Sequence, residues 1–148
     1  MIYRANRPDD FGALCEIDRI CFPPGIAYPP QDLAFWLRQR GAFVIIAEDE
    51  PRSQVAGFIL ARKLRGPDGH IITIDLRPEH RRGGVGTELM TRAEQRLREL
   101  GATRVSLETS VENLPAIRFY ERLGYQRQAR LPAYYLGRID AWVMARDL

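Results

Sequence analysis

The sequence predicts an α/β fold, a mixed and mostly antiparallel sheet of about seven strands with helices on both faces. Three observations lead there. Short β-rich apolar runs at residues 43–47, 55–62 and 70–76 follow one another with only turn chemistry between them. One long amphipathic helix, residues 85–100, stands between two strand-like runs and makes a single strand–helix–strand crossover. The chain then closes on two further strand-like runs, residues 125–130 and 141–145, around a hairpin. No linker, repeat or low-complexity stretch interrupts the 148 residues, so one domain spanning 1–148 is expected.

Residues 2–4 read as the first strand. Pro8 suits the first turn of a helix, where its missing N–H costs nothing, and Leu14, Ile17 and Cys21 give that helix a stripe. Residues 22–30 hold Pro23, Pro24, Pro29 and Pro30 and must be a loop. A second helix over 31–40 carries Leu33, Trp36 and Leu37 on one side and ends at Gly41. Gly66-Pro67-Asp68-Gly69 is strong turn chemistry, so residues 70–76 should return antiparallel beside 55–62. The helix over 85–100 shows Leu89, Met90, Ala93, Leu97 and Leu100 at helical spacing, with Gly101 placed to cap it. A strand over 104–109 and a short helix over 115–123 precede the closing hairpin.

The most informative stretch is Arg81-Arg82-Gly83-Gly84-Val85-Gly86, set between a strand and the long helix. Glycines let the backbone turn tightly and approach a ligand. The helix opening there aims unpaired N–H groups and its positive dipole end at the same place, which makes an anion site. Arginine forks at its lip suit phosphate oxygens. The spacing fits neither the dinucleotide fingerprint nor the P-loop. It is R-x-x-G-x-G, at Arg81, Gly84 and Gly86.

That loop resembles the pyrophosphate loop of the GNAT superfamily of acetyl-CoA-dependent N-acetyltransferases. The likeness continues through Leu107-Glu108-Thr109-Ser110-Val111-Glu112-Asn113 and the Phe119-Tyr120…Leu123-Gly124-Tyr125 frame. Tyr134-Tyr135…Gly137…Asp140-Ala141 is similar to the hairpin of N-terminal amine acetyltransferases, and the whole is closest to the RimI-type ribosomal-protein alanine N-acetyltransferases. Cys21-Phe22-Pro23 resembles that group's F-P-x segment. The Trp-Ser that commonly follows is replaced here by Gly25-Ile26-Ala27-Tyr28-Pro29-Pro30, which leaves the acceptor open. The resemblance implies acetyl-CoA as co-substrate. It would contact the loop at Arg81, Arg82, Gly83, Gly84, Val85, Gly86 and Thr87. It would also contact the strand at Ile74, Asp75 and Leu76, where a backbone N–H would meet the thioester oxygen. Asn113 would bond the pantetheine arm or cap the following helix.

Composition narrows the partners. Net charge is +3, from 21 Arg and the lone Lys63 against 19 acids. Arginine is spread over the whole chain with no basic stripe or aromatic series, which argues against nucleic acid and still suits an anionic co-substrate. No apolar run approaches the roughly 20 residues of a membrane span. No signal-peptide pattern opens the chain, and Cys15 and Cys21 fit no zinc spacing, so a cytoplasmic, metal-free protein is expected.

Acetyl transfer to an amine needs a base, an oxyanion donor and an acid. Glu108 is the candidate base. Val105, Leu107 and Thr109 share one strand face, leaving Glu108 with Ser106 on the other, where a lone carboxylate can take a proton. The RimI-like resemblance implies the same role, against the plainer reading of a solvated strand-end Glu. Tyr120 is the candidate acid, since a phenol with pKa near about 10 stays protonated where a thiolate near about 8.5 wants a proton. The plainer reading makes it a core aromatic in an Ile117, Tyr120, Leu123 stripe. Tyr28, Tyr134 and Tyr135 are expected to line the acceptor groove. His70 and His80 read as solvated surface residues. The implied reaction is direct attack by a neutral amine in a ternary complex, most readily a protein N-terminal α-amine. Alternatives are a small free amine, a lysine side chain, or a non-catalytic acyl-CoA-binding regulatory module. The sequence leaves the oligomeric state open.

Overall fold

A computed structural model describes residues 1–148 throughout. The elements are β1 (Ile2–Ala5), α1 (Phe11–Cys21), α2 (Pro30–Leu37), β2 (Ala42–Asp49), β3 (Gln54–Lys63), β4 (Asp68–Leu76), α3 (Val85–Glu99), β5 (Arg104–Ser110), α4 (Leu114–Arg122), β6 (Gln126–Tyr135) and β7 (Ile139–Asp147). The seven strands form one sheet in the order β1-β2-β3-β4-β5-β7-β6. Every neighbouring pair is antiparallel except β4 and β5, which the α3 crossover leaves parallel. This is the expected mixed sheet.

Several boundaries shift by a few residues from the sequence reading, and two of the shifts have a clear physical reason. Helix α2 stops at Leu37, before the expected Arg40. The chain then turns to reach Gly41, whose φ of +82° and close approach to the Lys63 backbone exclude a side chain. Strand β6 runs on to Tyr135 through Pro132. It is an edge strand paired only with β7, so a missing N–H on its outer side loses no ladder bond.

Each sheet face carries its own core. On one face Leu14, Ile17 and Leu33 of α1 and α2 pack on Val44, Ile46, Phe58 and Leu60. On the other, Leu89, Met90, Ala93 and Leu97 of α3 and Ile117 and Tyr120 of α4 pack on Ile59, Ile71, Val105 and Leu107. A bulge in β4 changes which of its residues meet which face. The β3–β4 register steps from Ala61↔Ile71 to Leu60↔Thr73, so Ile72 is an extra residue. Beyond it Thr73 and Asp75 sit beside Leu60 and Phe58 and face α1, while Ile74 and Leu76 face α3.

A buried polar bridge ties α3 to the end of the sheet. The Tyr125 hydroxyl donates to Glu94 at 2.7 Å, and Arg146 donates to the same carboxylate and to the Leu123 carbonyl. Tyr125 is 2% exposed and Glu94 5%. Tyr125→Phe should therefore cost about 1–3 kcal/mol, the usual penalty when a buried acceptor loses its neutral donor. Denaturant unfolding of both proteins measures it.

Candidate active site

The site starts where the sheet comes apart. Strands β4 and β5 pair only over Asp68–His70 and Arg104–Ser106. Past that point β4 stays bonded to β3 up to Leu76, and β5 to β7 up to Ser110. Each follows its own partner's twist, and a wedge opens between them. The Arg77 N–H bonds the Ala56 carbonyl of β3. By antiparallel alternation, the amides of Asp75 and Thr73 also point at β3, and those of Ile74 and Leu76 point into the wedge. Of the three strand residues expected to meet the co-substrate, Ile74 and Leu76 thus offer backbone donors. Asp75 turns its side chain the other way, toward α1.

The first turn of α3 lies at the wide end of this wedge. Gly84 precedes the helix at φ +86°, a left-handed conformation that favours glycine, and no side chain caps the turn. The amides of Val85, Gly86 and Thr87 are left pointing outward, at the positive end of the helix dipole. Gly86 has a different reason to be glycine. A Cβ there would press on Leu76 and Phe119 at 3.3 Å, so its smallness seats α3 against β4 and α4. Arg82 and Gly83 are exposed beside the turn. Arg81 folds back, its Nε donating to the Leu76 carbonyl at 3.2 Å and its Nη2 reaching Cys21 Sγ at 3.5 Å. An uncapped helix start, a glycine cradle and a wedge lined by strand amides fit an extended phosphate-bearing molecule. Asn113 caps α4, its Oδ1 accepting the Ala116 N–H at 3.3 Å.

Glu108 lies on the α1 side of the wedge. Its carboxylate receives His70 Nε2 at 2.9 Å from across the narrow end and the Tyr134 hydroxyl at 3.3 Å from the β6–β7 hairpin. Burial pushes its pKa up, but the His70 and Tyr134 hydrogen bonds outweigh that and hold it below the usual carboxylate range. Tyr134 and Tyr135 stand edge to face with ring centres 4.9 Å apart. Tyr28 comes from the 22–29 loop, and burial followed by the nearby Tyr134 raises its phenol. That loop meets the hairpin where Gly25, at φ +88°, leaves no room for a Cβ against Leu136. Tyr120 is on the other side of the wedge, buried between Phe119 and Tyr125. Burial above all keeps its phenol protonated far above neutral pH.

The family model for the GNAT acetyltransferases matches residues 11–125. This chain belongs to that family. It is 30% identical to an N-alpha-acetyltransferase of Saccharolobus solfataricus, over 98% of this chain and 92% of that protein. The crystal structure of Ard1 from Thermoplasma volcanium superposes with a TM-score of 0.86 at 27% identity, covering 99% of this chain and 97% of that one. The ribosomal-protein-S18-alanine N-acetyltransferase of Escherichia coli shares the fold, with a TM-score of 0.86 at 21% identity over 99% and 92% of the two chains. The protein is an acetyl-CoA-dependent N-acetyltransferase.

The sequence reading missed one residue of this constellation. His70 is no solvated surface histidine; it is half-buried and bonded to Glu108. His80 is likewise half-buried, 3.5 Å from Asp49. A signal for His70 did exist. A parallel β4–β5 pair starting after the 66–69 turn sets His70 opposite Ser106, one pleat below Glu108 on the same face. Removing His70 should leave Glu108 with burial and only the Tyr134 bond. Its pKa must then rise, so His70→Ala should move the acid limb of the pH–rate profile to higher pH. A profile of kcat/KM for the acceptor in both proteins measures that shift.

Proposed function

We propose that this enzyme acetylates protein N-terminal α-amines, with Glu108 as base and Tyr120 as acid. The observation that carries the reading is Glu108, kept ionised by His70 and Tyr134 behind a lip of three tyrosines. Acetyl-CoA, when bound, supplies the acetyl thioester. The first turn of α3 with Arg82 would hold its phosphates, and the amides of Ile74 and Leu76 would meet the thioester oxygen. Asn113 keeps its Nδ2 for the pantetheine arm while its Oδ1 caps α4. Tyr28, Tyr134 and Tyr135 line the way in for the acceptor from the α1 side. Glu108 takes the proton of the amine as the new C–N bond forms, directly or through water. Tyr120, from the opposite side, gives its proton to the departing sulfur. The α-amine, with pKa near about 8, is about 2.4 units easier to deprotonate than a lysine near about 10.4, so one carboxylate is a sufficient base. The relative in Saccharolobus solfataricus named N-alpha-acetyltransferase supports the acceptor class.

Glu108→Gln keeps the shape of the site and loses the base. Its rate on an N-terminal peptide with blocked lysines should climb until the α-amine has titrated, near pH 8, while wild type levels off earlier. Superimposed profiles at similar rates would remove Glu108 as the base. Acetylation of lysine alone, on an unblocked peptide, would remove the N-terminal assignment.

Tyr120→Phe keeps the ring packed against Phe119 and Tyr125 and removes only the proton. Turnover should fall by about 10²–10⁴, the usual worth of general acid catalysis, with acetyl-CoA binding little changed. Steady-state kinetics with calorimetric titration of acetyl-CoA separates the two effects.

A further inference from the structure

Beside the wedge, between β4 and α1, lies a pair of carboxyls that take no part in the proton transfers of Glu108 and Tyr120. Asp18 on α1 is 0% exposed and Asp75 on β4 is 1% exposed. Neither faces a cation at bonding distance, and both are too deep to be left as two free anions. Their outer oxygens are already committed. Asp18 Oδ2 accepts the Tyr28 backbone N–H at 2.6 Å, and Asp75 Oδ1 accepts the Thr73 hydroxyl at 2.5 Å. The two remaining oxygens, Asp18 Oδ1 and Asp75 Oδ2, are buried and have no donor from any other residue. Past the bulge Asp75 is turned to the α1 face of the sheet, where Asp18 lies, and the two carboxyls interact side chain to side chain. Two acceptors can meet in this way only with a proton between them.

From this contact we infer that protonated Asp75 is a positioning residue: it donates to Asp18, and Asp18 in turn holds the acceptor loop by the Tyr28 amide. One proton thereby locks the strand that carries the thioester donors to the loop that admits the amine. The bulge at Ile72 is what turns Asp75 toward α1 at all. The acceptor half of the claim rests on the N-terminal reading of the substrate; the lock itself does not.

The surrounding groups set the direction. Burial comes first in raising Asp75 well above the usual carboxylate range, and Asp18 adds to it through its hydrogen bond and its charge. Thr73 and Arg81 pull the other way, the latter from the turn before α3. Cys21 of α1, Tyr28 of the loop and Tyr120 of α4 also feel Asp75, and burial raises each of them. With the folded pKa raised, folding takes up a proton between the unfolded value and the folded one, and stability falls as pH rises across that window. Once the proton leaves, the donor that positions Asp18 is gone, repulsion pushes the two carboxyls apart, and the Tyr28 amide is held less well.

The test reads the loop without any substrate. Amide exchange at Tyr28, followed by NMR from pH 6 to 10 and expressed as a protection factor, should fall in wild type as the shared proton is lost. Asp75→Asn replaces the hydroxyl donor by an amide donor that does not titrate, so its Tyr28 protection should stay flat. Its melting temperature should also gain on wild type as pH rises. Asp18→Asn is the second variant, and it should abolish the same pH dependence from the other side. On an N-terminal peptide, the wild-type acceptor KM should rise over the same pH range while the acetyl-CoA KM does not, and Asp75→Asn should lose that rise. Equal pH dependence of Tyr28 protection in wild type and both variants would overturn the lock. A pH-dependent protection that Asp75→Asn abolishes, with no N-terminal peptide acetylated, would keep the lock and overturn the acceptor reading instead.

Discussion

The structure depends on a strand pairing that is allowed to fail. Strands β4 and β5 hold together over three residues on each side and then part, because β3 holds one and β7 the other. A continued ladder would satisfy the Ile74 and Leu76 amides with β5 carbonyls and leave a closed, inert sheet. The parting places those donors in a cleft, and strand amides in such a cleft can act on a bound carbonyl without any side chain being supplied. The α3 crossover follows from the same arrangement. Parallel neighbours need a helical connection, and its first turn falls at the open end of the cleft.

Around this cleft the same side-chain chemistry is set to opposite states by its surroundings. Glu108 meets donors from His70 and Tyr134, so the charged form wins over the burial that opposes it. Asp75 meets another carboxyl, so burial and repulsion act together and the neutral form wins. The separation follows from strand geometry. Glu108 lies on β5 one pleat beyond Ser106, within reach of His70 at the narrow end of the wedge, whereas the bulge in β4 carries Asp75 under α1, where Asp18 lies. Glu108 and Asp75 are carboxyls of neighbouring strands, and their environments hold them in opposite charge states.

Much of this was legible in the sequence, and the parts that were not share a cause. Periodicity and turn residues located all seven strands: the inner strands carry apolar runs or alternation that record their burial, while the exposed edge strand β6 was placed by its neighbours, the hairpin and the strand that follows it. The glycine loop was legible because Gly84 and Gly86 answer to a positive φ and to a close approach, demands that few other residues meet. The end of α2 at Leu37 was not, since Gly41 is fixed by the Lys63 backbone across the sheet rather than by its own neighbours. His70 and the Asp18–Asp75 contact escaped for the same reason. The residues of each pair are 38 and 57 positions apart in the numbering of the chain. Nothing local marks them, and the bulge that reverses the facing of Thr73 and Asp75 has no motif. A strict alternation along β4 would have sent Asp75 into the α3 core.

The lock and the acid are coupled through space. The charge of Asp75, when present, makes the Tyr120 phenol harder to ionise. In the proposed mechanism a neutral Asp75 therefore does two things with one proton: it holds the acceptor loop through Asp18, and it spares Tyr120 a nearby anion when the phenol gives up its own proton. Loss of that proton weakens loop and acid together, even though the two lie on opposite sides of the wedge. The alkaline side of catalysis in this enzyme is then set by more than the acceptor amine. The amine improves as a nucleophile when pH rises, while the site that receives it loosens and its acid weakens. In the proposed mechanism the best working pH is where these trends cross.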